Sequence, residues 1–343
     1  FSTFLYKGNN STLTVNNGID LSGEGGLVWV KNRSNAQDHI LTDSSSSGAK
    51  YLNSNTTTQQ QDFYIGGGSD ERFFFNSTGF STTTADFKVN NSSYDYASWT
   101  FRKAPKFFDC VTWTGDGTSN RAIPHNLNGA VGSYFVKCTS DSSTSDWIVW
   151  HKDLSSNAHH LVLNTTAEQE NYNLFSTTAP DSSNVYLGTT YIDFYNGIGR
   201  TYVAYLFAHN DSGDGEFGPD GDQDIIKCGS YTGNGSADGP EINLGFEAQW
   251  VMLKRTDSTA DWVMQDVMRG MIMDSGGAYI KANEPQAEFA TTGYIQPEPT
   301  GFKVRGTGSG QANASGGNYI YMAIRRGPLA PPTAATEVFA PNF

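Results

Sequence analysis

Short runs rich in Val, Ile, Tyr, Phe and Trp recur along the whole chain between stretches of Gly, Asn, Ser and Asp. Runs of that length bounded by turn residues predict strands, and no stretch keeps a helical period for more than two turns. Trp147-Ile148-Val149-Trp150 is apolar at every position, which predicts burial on both faces. The polar alternation of Thr201-Tyr202-Val203-Ala204-Tyr205 predicts less burial. The connections are too short and turn-rich for crossover helices, so antiparallel sheets are expected. The expected fold class is all-β.

The pattern repeats three times. Tyr6-Lys7-Gly8-Asn9-Asn10 corresponds to Trp113-Thr114-Gly115-Asp116-Gly117 and to Tyr231-Thr232-Gly233-Asn234-Gly235. An apolar strand ending in lysine follows each time, at Leu27 to Lys31, Ser133 to Lys137 and Trp250 to Lys254. Next come Asp38-His39, Asp146-Trp147 and Asp261-Trp262, and each repeat closes on an aromatic strand, Tyr96 to Phe101, Tyr202 to Phe207 and Tyr319 to Ile324. Gly79-Phe80 and Gly301-Phe302 precede the first and third closing strands, and the middle repeat lacks the pair. A unit of roughly 105 residues is too long for a solenoid coil or propeller blade and suits a domain with its own core. The expected architecture is three tandem antiparallel β-sandwich domains, jelly-roll or lectin-like, at residues 1–105, 106–212 and 222–330. Residues 331–343 form a Pro-rich extension, and Asn210 to Asp224 reads as the linker between the second and third units.

Charge and cysteine narrow the function classes. With 22 Lys and Arg against 35 Asp and Glu the net charge is −13, so there is no basic surplus for nucleic-acid phosphates. The longest apolar run, Tyr202 to Ala208, is far below the roughly 20 residues of a membrane-spanning helix, and no membrane insertion is expected. Cys110, Cys138 and Cys228 lack the spacing of a zinc site and read as small buried hydrophobes, with a Cys110–Cys138 bridge left open. The start at Phe1 and the Pro-rich end are read as those of a fragment or processed piece.

Candidate chemistry is sparse. Asp220-x-Asp222-x-Asp224, with Asp211 and Asp214 nearby, has a spacing that can converge on calcium. The glycine and glutamate of an EF-hand loop are missing, however, and the stretch reads as a solvated acidic linker. His39, His125, His151, His159, His160 and His209 form no HExxH, and no serine lies in a GxSxG elbow. The expectation is therefore no catalytic residue, no metal site and no cofactor, with no ligand-binding residue assigned. Aromatics at matching positions, Trp29/Phe135 and Trp147/Trp262, are expected in the core. Those without counterparts, Trp150, Tyr172, Tyr195 and Phe73-Phe74-Phe75, are candidates for sugar or partner platforms, although core or loop packing is the preferred reading. Asn-x-Ser/Thr triplets at Asn32, Asn55, Asn76, Asn164, Asn234 and Asn313 are expected by chance in so Asn- and Ser-rich a chain.

Gly245 to Arg255, Asp261-Trp262, Asp266 to Gly270 and Tyr319 to Pro328 resemble a repeat domain of structural proteins from marine tailed phages, especially those infecting cyanobacteria. Gly26 to Arg33 and Tyr96 to Phe101 resemble the same domain, whereas the middle repeat lacks the Met-Arg-Gly turn. The resemblance implies a virion protein and transfers no ligand motif. The expected function is a non-enzymatic component of a tail fibre, tail appendage or head decoration. Its expected partners are other virion proteins, copies of itself as a homo-oligomer, a trimer being favoured, and a host surface glycan. A tail polysaccharide depolymerase and a secreted bacterial adhesin are the alternatives. At seawater ionic strength the screening length falls to roughly 4 Å, so the negative charge does not bar approach to an anionic envelope.

Overall fold

The structure is a computed structural model that describes residues 1–63, 73–83, 86–141, 145–211, 217–218, 221–272, 277–290, 293–306 and 308–327. Asp214, Asp220 and the Pro-rich extension lie outside the described residues. The described chain is all-β, with several antiparallel sheets and only three-residue 3-10 turns as helix. Among the described residues no helix is long and apolar enough to cross a membrane.

Three larger sheets share one strand plan. In the first, Asp95–Arg102 lies between Ser2–Lys7 and Gly26–Asn32, with Ile40–Asp43 beyond. In the second, Thr201–Ala208 lies between Phe108–Thr114 and Val131–Cys138, continued by Ile148–His151, His159–Val162 and Glu170–Asn171. In the third, Asn318–Arg325 lies between Ile226–Thr232 and Ala248–Arg255, continued by Val263–Asp266 and Ile280–Lys281. Register aligns the repeats residue by residue, with Trp29 opposite Trp99, Phe135 opposite Tyr205 and Met252 opposite Met322.

Each central strand is apolar on both faces because both faces are covered. Leu27 and Trp29 enter a large cluster that also holds Phe135, Phe207, Trp250, Met252 and Trp262 from the other two repeats. Val28 and Val30 point the other way, into a local cluster with Val15, Phe73 and Phe80. Val251 and Leu253 do the same with Ile242 and Phe302. The first and third sheets thus each have a separate cluster on the outer face. The inner faces of all three sheets bury one another.

Smaller sheets cover the outer faces. Leu13–Asn16, Gly79–Thr82 and Phe73–Asn76 form one, and Glu241–Asn243, Gly301–Val304 and Ile295–Glu298 another. The Gly-Phe pair belongs here: a Cβ on Gly79 would stand 2.0 Å from the Val15 carbonyl oxygen, and one on Gly301 would stand 1.8 Å from that of Ile242. In the middle repeat the corresponding sheet has two strands, Ala122–Pro124 and Asn184–Tyr186, and Asn184-Val185 occupies the place of the pair.

The motif that opens each repeat is a packed turn. Tyr6, Trp113 and Tyr231 stack on Tyr96, Tyr202 and Tyr319 at 5.2, 5.4 and 5.0 Å. A Cβ on Gly8, Gly115 or Gly233 would fall 2.1 to 2.3 Å from a facing carbonyl oxygen, so glycine is required at all three. Asn90, Asn196 and Asn313 close the turn, each accepting from a backbone N–H of the opening motif and donating to a carbonyl there.

Between repeats, equivalent bonds run in one direction around a closed ring. The buried Lys31 ammonium donates to the Pro285 carbonyl at 3.0 Å, Lys137 to that of Thr57 at 2.8 Å and Lys254 to that of Thr166 at 3.0 Å. Trp147 Nε1 donates to the Asn53 carbonyl and Trp262 Nε1 to the Val162 carbonyl. His39 takes the equivalent place in the first repeat. Its Nδ1 accepts from Trp29 Nε1 at 2.9 Å, which leaves the proton on Nε2 to meet the Lys281 carbonyl at 3.0 Å. Backbone bonds from Glu288 to Arg33, Gln60 to Thr139 and Gln169 to Thr256 complete the seams.

Candidate functional site

The same carboxylate clamp is built into every repeat. Asn55, Asn164 and Asn283 accept from the backbone N–H of His39, Trp147 and Trp262 and donate their side-chain amide to Asp38, Asp146 and Asp261. The matched positions Asp38-His39, Asp146-Trp147 and Asp261-Trp262 thus hold the strand that feeds each seam. Two of the Asn-x-Ser/Thr asparagines, Asn55 and Asn164, are part of this clamp, and Asn32 and Asn313 are fully buried and hydrogen-bonded.

Beside Asp146 the middle repeat opens a cleft of about 320 Å³. Its rim is aromatic, with Tyr172 and Tyr191 48% and 58% exposed and Phe194 half-buried. The rings stand edge to face, Tyr172 to Tyr191 at 5.7 Å and Tyr191 to Phe194 at 6.1 Å. Tyr191 holds a left-handed backbone at φ +49°, a conformation that costs a non-glycine residue on the order of 1 kcal/mol and sets the entry to the turn Ile192–Phe194. Ile148, Val162 and Leu174 form the apolar lining, and Asp146 and Glu170 supply carboxylates. His160 also lines the cleft, with its ring 5.9 Å from Tyr172 and its Nε2 3.9 Å from Glu170. Burial lowers the His160 pKa to about 4, so the ring is neutral at pH 7, and its Nδ1 has no hydrogen-bond partner. Exposed aromatic faces next to carboxylates suit a ligand with weakly positive C–H faces or a cationic head.

Of the proposed aromatic platforms, Tyr172 reaches this cleft. Trp150 is buried and stacks on Tyr134 at 5.4 Å, and Tyr195 is buried with its hydroxyl donating to the Thr190 carbonyl. Phe73 is in the outer core of the first repeat, while Phe74 is exposed. Trp29, Phe135, Trp147 and Trp262 lie in the common core. Cys110, Cys138 and Cys228 are buried free thiols. In the acidic segment Asp224 pairs with Lys227 at 2.9 Å, and among the described residues no group of three or more His, Cys, Asp or Glu is placed to hold a metal ion. His151 Nε2 meets the Tyr321 carbonyl at 3.1 Å across a seam.

Tyr191, Phe194, Glu170 and His160 were not singled out as site residues by the sequence. The signal they carry is departure from the repeat: Phe194 stands where the other repeats have Lys88 and Gln311, and His160 where they have Tyr51 and Tyr279. No curated protein and no solved structure matches the chain. Residues 1–328, all three repeats together, match the family described as a domain of unknown function, DUF7483, and the chain belongs to that family.

Proposed function

We propose that the chain is a non-enzymatic structural component of a phage particle, in a tail fibre, tail appendage or head decoration, that presents a host-attachment surface. In this reading the repeats are three β-sandwich units of jelly-roll or lectin-like form, each pairing a larger sheet with the small sheet outside it. The observation that carries the proposal is the ring itself. Three sheets bury one common core, and matched Lys, Trp and His side chains are spent on the seams between them. Such a body holds its surface rigidly, and in a many-copy particle even a weak site gains avidity. The resemblance to marine tailed-phage proteins supplies the setting, other virion proteins and copies of the chain the partners, and the aromatic cleft of the middle repeat a place for a host surface glycan.

Cryo-electron microscopy of the source particle, with this chain located in the map, tests the proposal; density for the chain nowhere on the particle surface removes it. Light scattering at micromolar concentration tests the trimer. Asp146 and Glu170 in one cleft favour a second reading, a polysaccharide depolymerase, which predicts release of reducing sugar from host envelope polysaccharide.

A further inference from the structure

The three repeats give an internal comparison at the cleft. Each aspartate of the carboxylate clamp uses one oxygen to accept from its asparagine. In the first repeat the other oxygen of Asp38 pairs with Lys88 at 3.5 Å, and the Lys88 ammonium lies 5.4 Å from the centre of the Tyr51 ring. In the third, the other oxygen of Asp261 pairs with Lys281 at 2.8 Å, and the Lys281 ammonium lies 5.2 Å from the centre of the Phe289 ring. Both repeats therefore place an ammonium group between the clamp carboxylate and an aromatic face, although Lys88 comes from a turn and Lys281 from the strand Ile280–Lys281.

Among its described residues the middle repeat supplies none. Its residue at the Lys281 position is Val162, and its residue at the Lys88 position is Phe194. Among the described residues neither Asp146 nor Glu170 is ion-paired to a lysine or arginine. The position is a cleft of about 320 Å³ rimmed by Tyr172, Tyr191 and Phe194. The buried Lys137 acts on Asp146 only at longer range, as Lys31 does on Asp38 and Lys254 on Asp261, so it does not distinguish the repeats.

We propose that this cleft binds an alkylammonium group from outside the chain, with Asp146 as its counter-ion and the Tyr172 and Tyr191 rings as its walls. The carboxylate neutralises the charge, the aromatic faces attract it through their quadrupoles, and the apolar lining takes the carbon stem. A lysine side chain of a partner protein and an amino sugar both carry this group. The inference goes beyond the virion reading and holds wherever the chain resides.

The test uses the full chain with its tyrosines labelled and followed by NMR, titrated with n-butylammonium, Nα-acetyl-lysine methylamide and glucosamine. The neutral counterparts are 1-butanol, the Nε-acetylated lysine derivative and N-acetylglucosamine. At least one amine is expected to bind about tenfold more tightly than its neutral counterpart, which corresponds to one charge-aromatic contact of ordinary strength. Selective binding of the lysine derivative points to a protein partner, and of glucosamine to an amino sugar; both support the proposal. Val162→Lys, which installs the third repeat's ammonium, is expected to abolish binding with the fold retained by circular dichroism. Asp146→Asn, which keeps the acceptor for Asn164, is expected to weaken it about tenfold. If no amine binds, if neutral counterparts bind equally well, or if folded Val162→Lys and Asp146→Asn proteins bind as the parent does, the proposal is overturned.

Discussion

Trp99 Nε1 donates to Asp266 Oδ2 at 3.0 Å, joining the closing strand of the first repeat to the strand Val263–Asp266 of the third. The same oxygen receives Arg269 Nε at 2.6 Å, and the Arg269 guanidinium lies 5.2 Å from the centre of the Trp99 ring. Arg269 also reaches Glu288, which accepts from Arg33 of the first repeat at 2.7 Å. The Met-Arg-Gly turn that marks the third repeat in the sequence is thus the polar bolt where the last repeat meets the first. Asp266→Asn removes the nearer of the two carboxylates that pair with the fully buried guanidinium, leaving Glu288, and is expected to cost about 1.5–3 kcal/mol. Trp99→Phe keeps an aromatic ring but loses the indole donor and some buried volume, at about 2–3 kcal/mol. Denaturant unfolding measures both; an Asp266→Asn protein as stable as the parent would show that this bolt does not hold the seam.

A shared inner core predicts shared unfolding. Calorimetry of the chain should show one transition with matching calorimetric and van't Hoff enthalpies. A fragment ending at residue 105 would expose Leu27, Trp29, Trp99 and Phe101 on one face, and should bind hydrophobic dyes or associate. Three resolved transitions, or a monomeric, dye-negative fragment, would contradict the common core.

The seam lysines predict an alkaline rise in stability. Burial lowers the pKa of Lys31 and Lys137 to about 8 and that of Lys254 to about 7, against 10.5 in the unfolded chain. Between the folded and unfolded values the unfolded chain holds more protons, so these groups make stability increase with pH from about 7 towards 10. Above pH 10 the slope reverses, because burial pushes Tyr134 and Tyr205 well above their usual pKa and the unfolded chain loses phenolic protons first. A melting temperature that rises between pH 7 and 9 and rises less in Lys254→Met is the expected record, and a fall over that interval in the parent would refute it.

Acid should weaken the chain for the converse reason. Burial holds His151 and His160 near pKa 4, below the 6.5 of the unfolded chain. From pH 6.5 down to about 4 the unfolded state takes up the extra protons, and stability falls. His151→Gln should flatten that limb in a pH series of urea midpoints; an unchanged slope would place the loss elsewhere.

The third repeat offers a chemical rescue. Lys281→Ala removes the ammonium between Asp261 and Phe289 and should lower the melting temperature. Millimolar n-propylammonium should restore part of it by mass action, and 1-propanol at the same concentration should not. Equal effects of the two would show that the ammonium charge has no part in filling that position.

The strand pattern, the threefold repeat and the matched Gly, Asn and Asp-aromatic positions were legible in the chain because each is set by local requirements. Period-two burial, a turn too tight for a Cβ at Gly8, Gly115 and Gly233, and an aspartate clamping its own strand recur at nearly constant spacing. The sequence also separated aromatics with counterparts from those without, and Tyr172 is among the latter, although packing is the preferred reading for them. What it left undecided depends on which faces meet. Strands such as Val28 to Val30 and Val251 to Leu253 are apolar on both sides, and only assembly shows that one side faces a private cluster and the other the two neighbouring repeats. The cleft is of the same kind. Lys88 and Lys281 occupy different columns of the repeat, so comparing columns does not reveal that each delivers an ammonium to the matching carboxylate, Asp38 or Asp261, nor that with Val162 and Phe194 in those columns Asp146 has none among the described residues. That convergence arises from strands and loops far apart in the chain, and spacing along one strand carries no information about it.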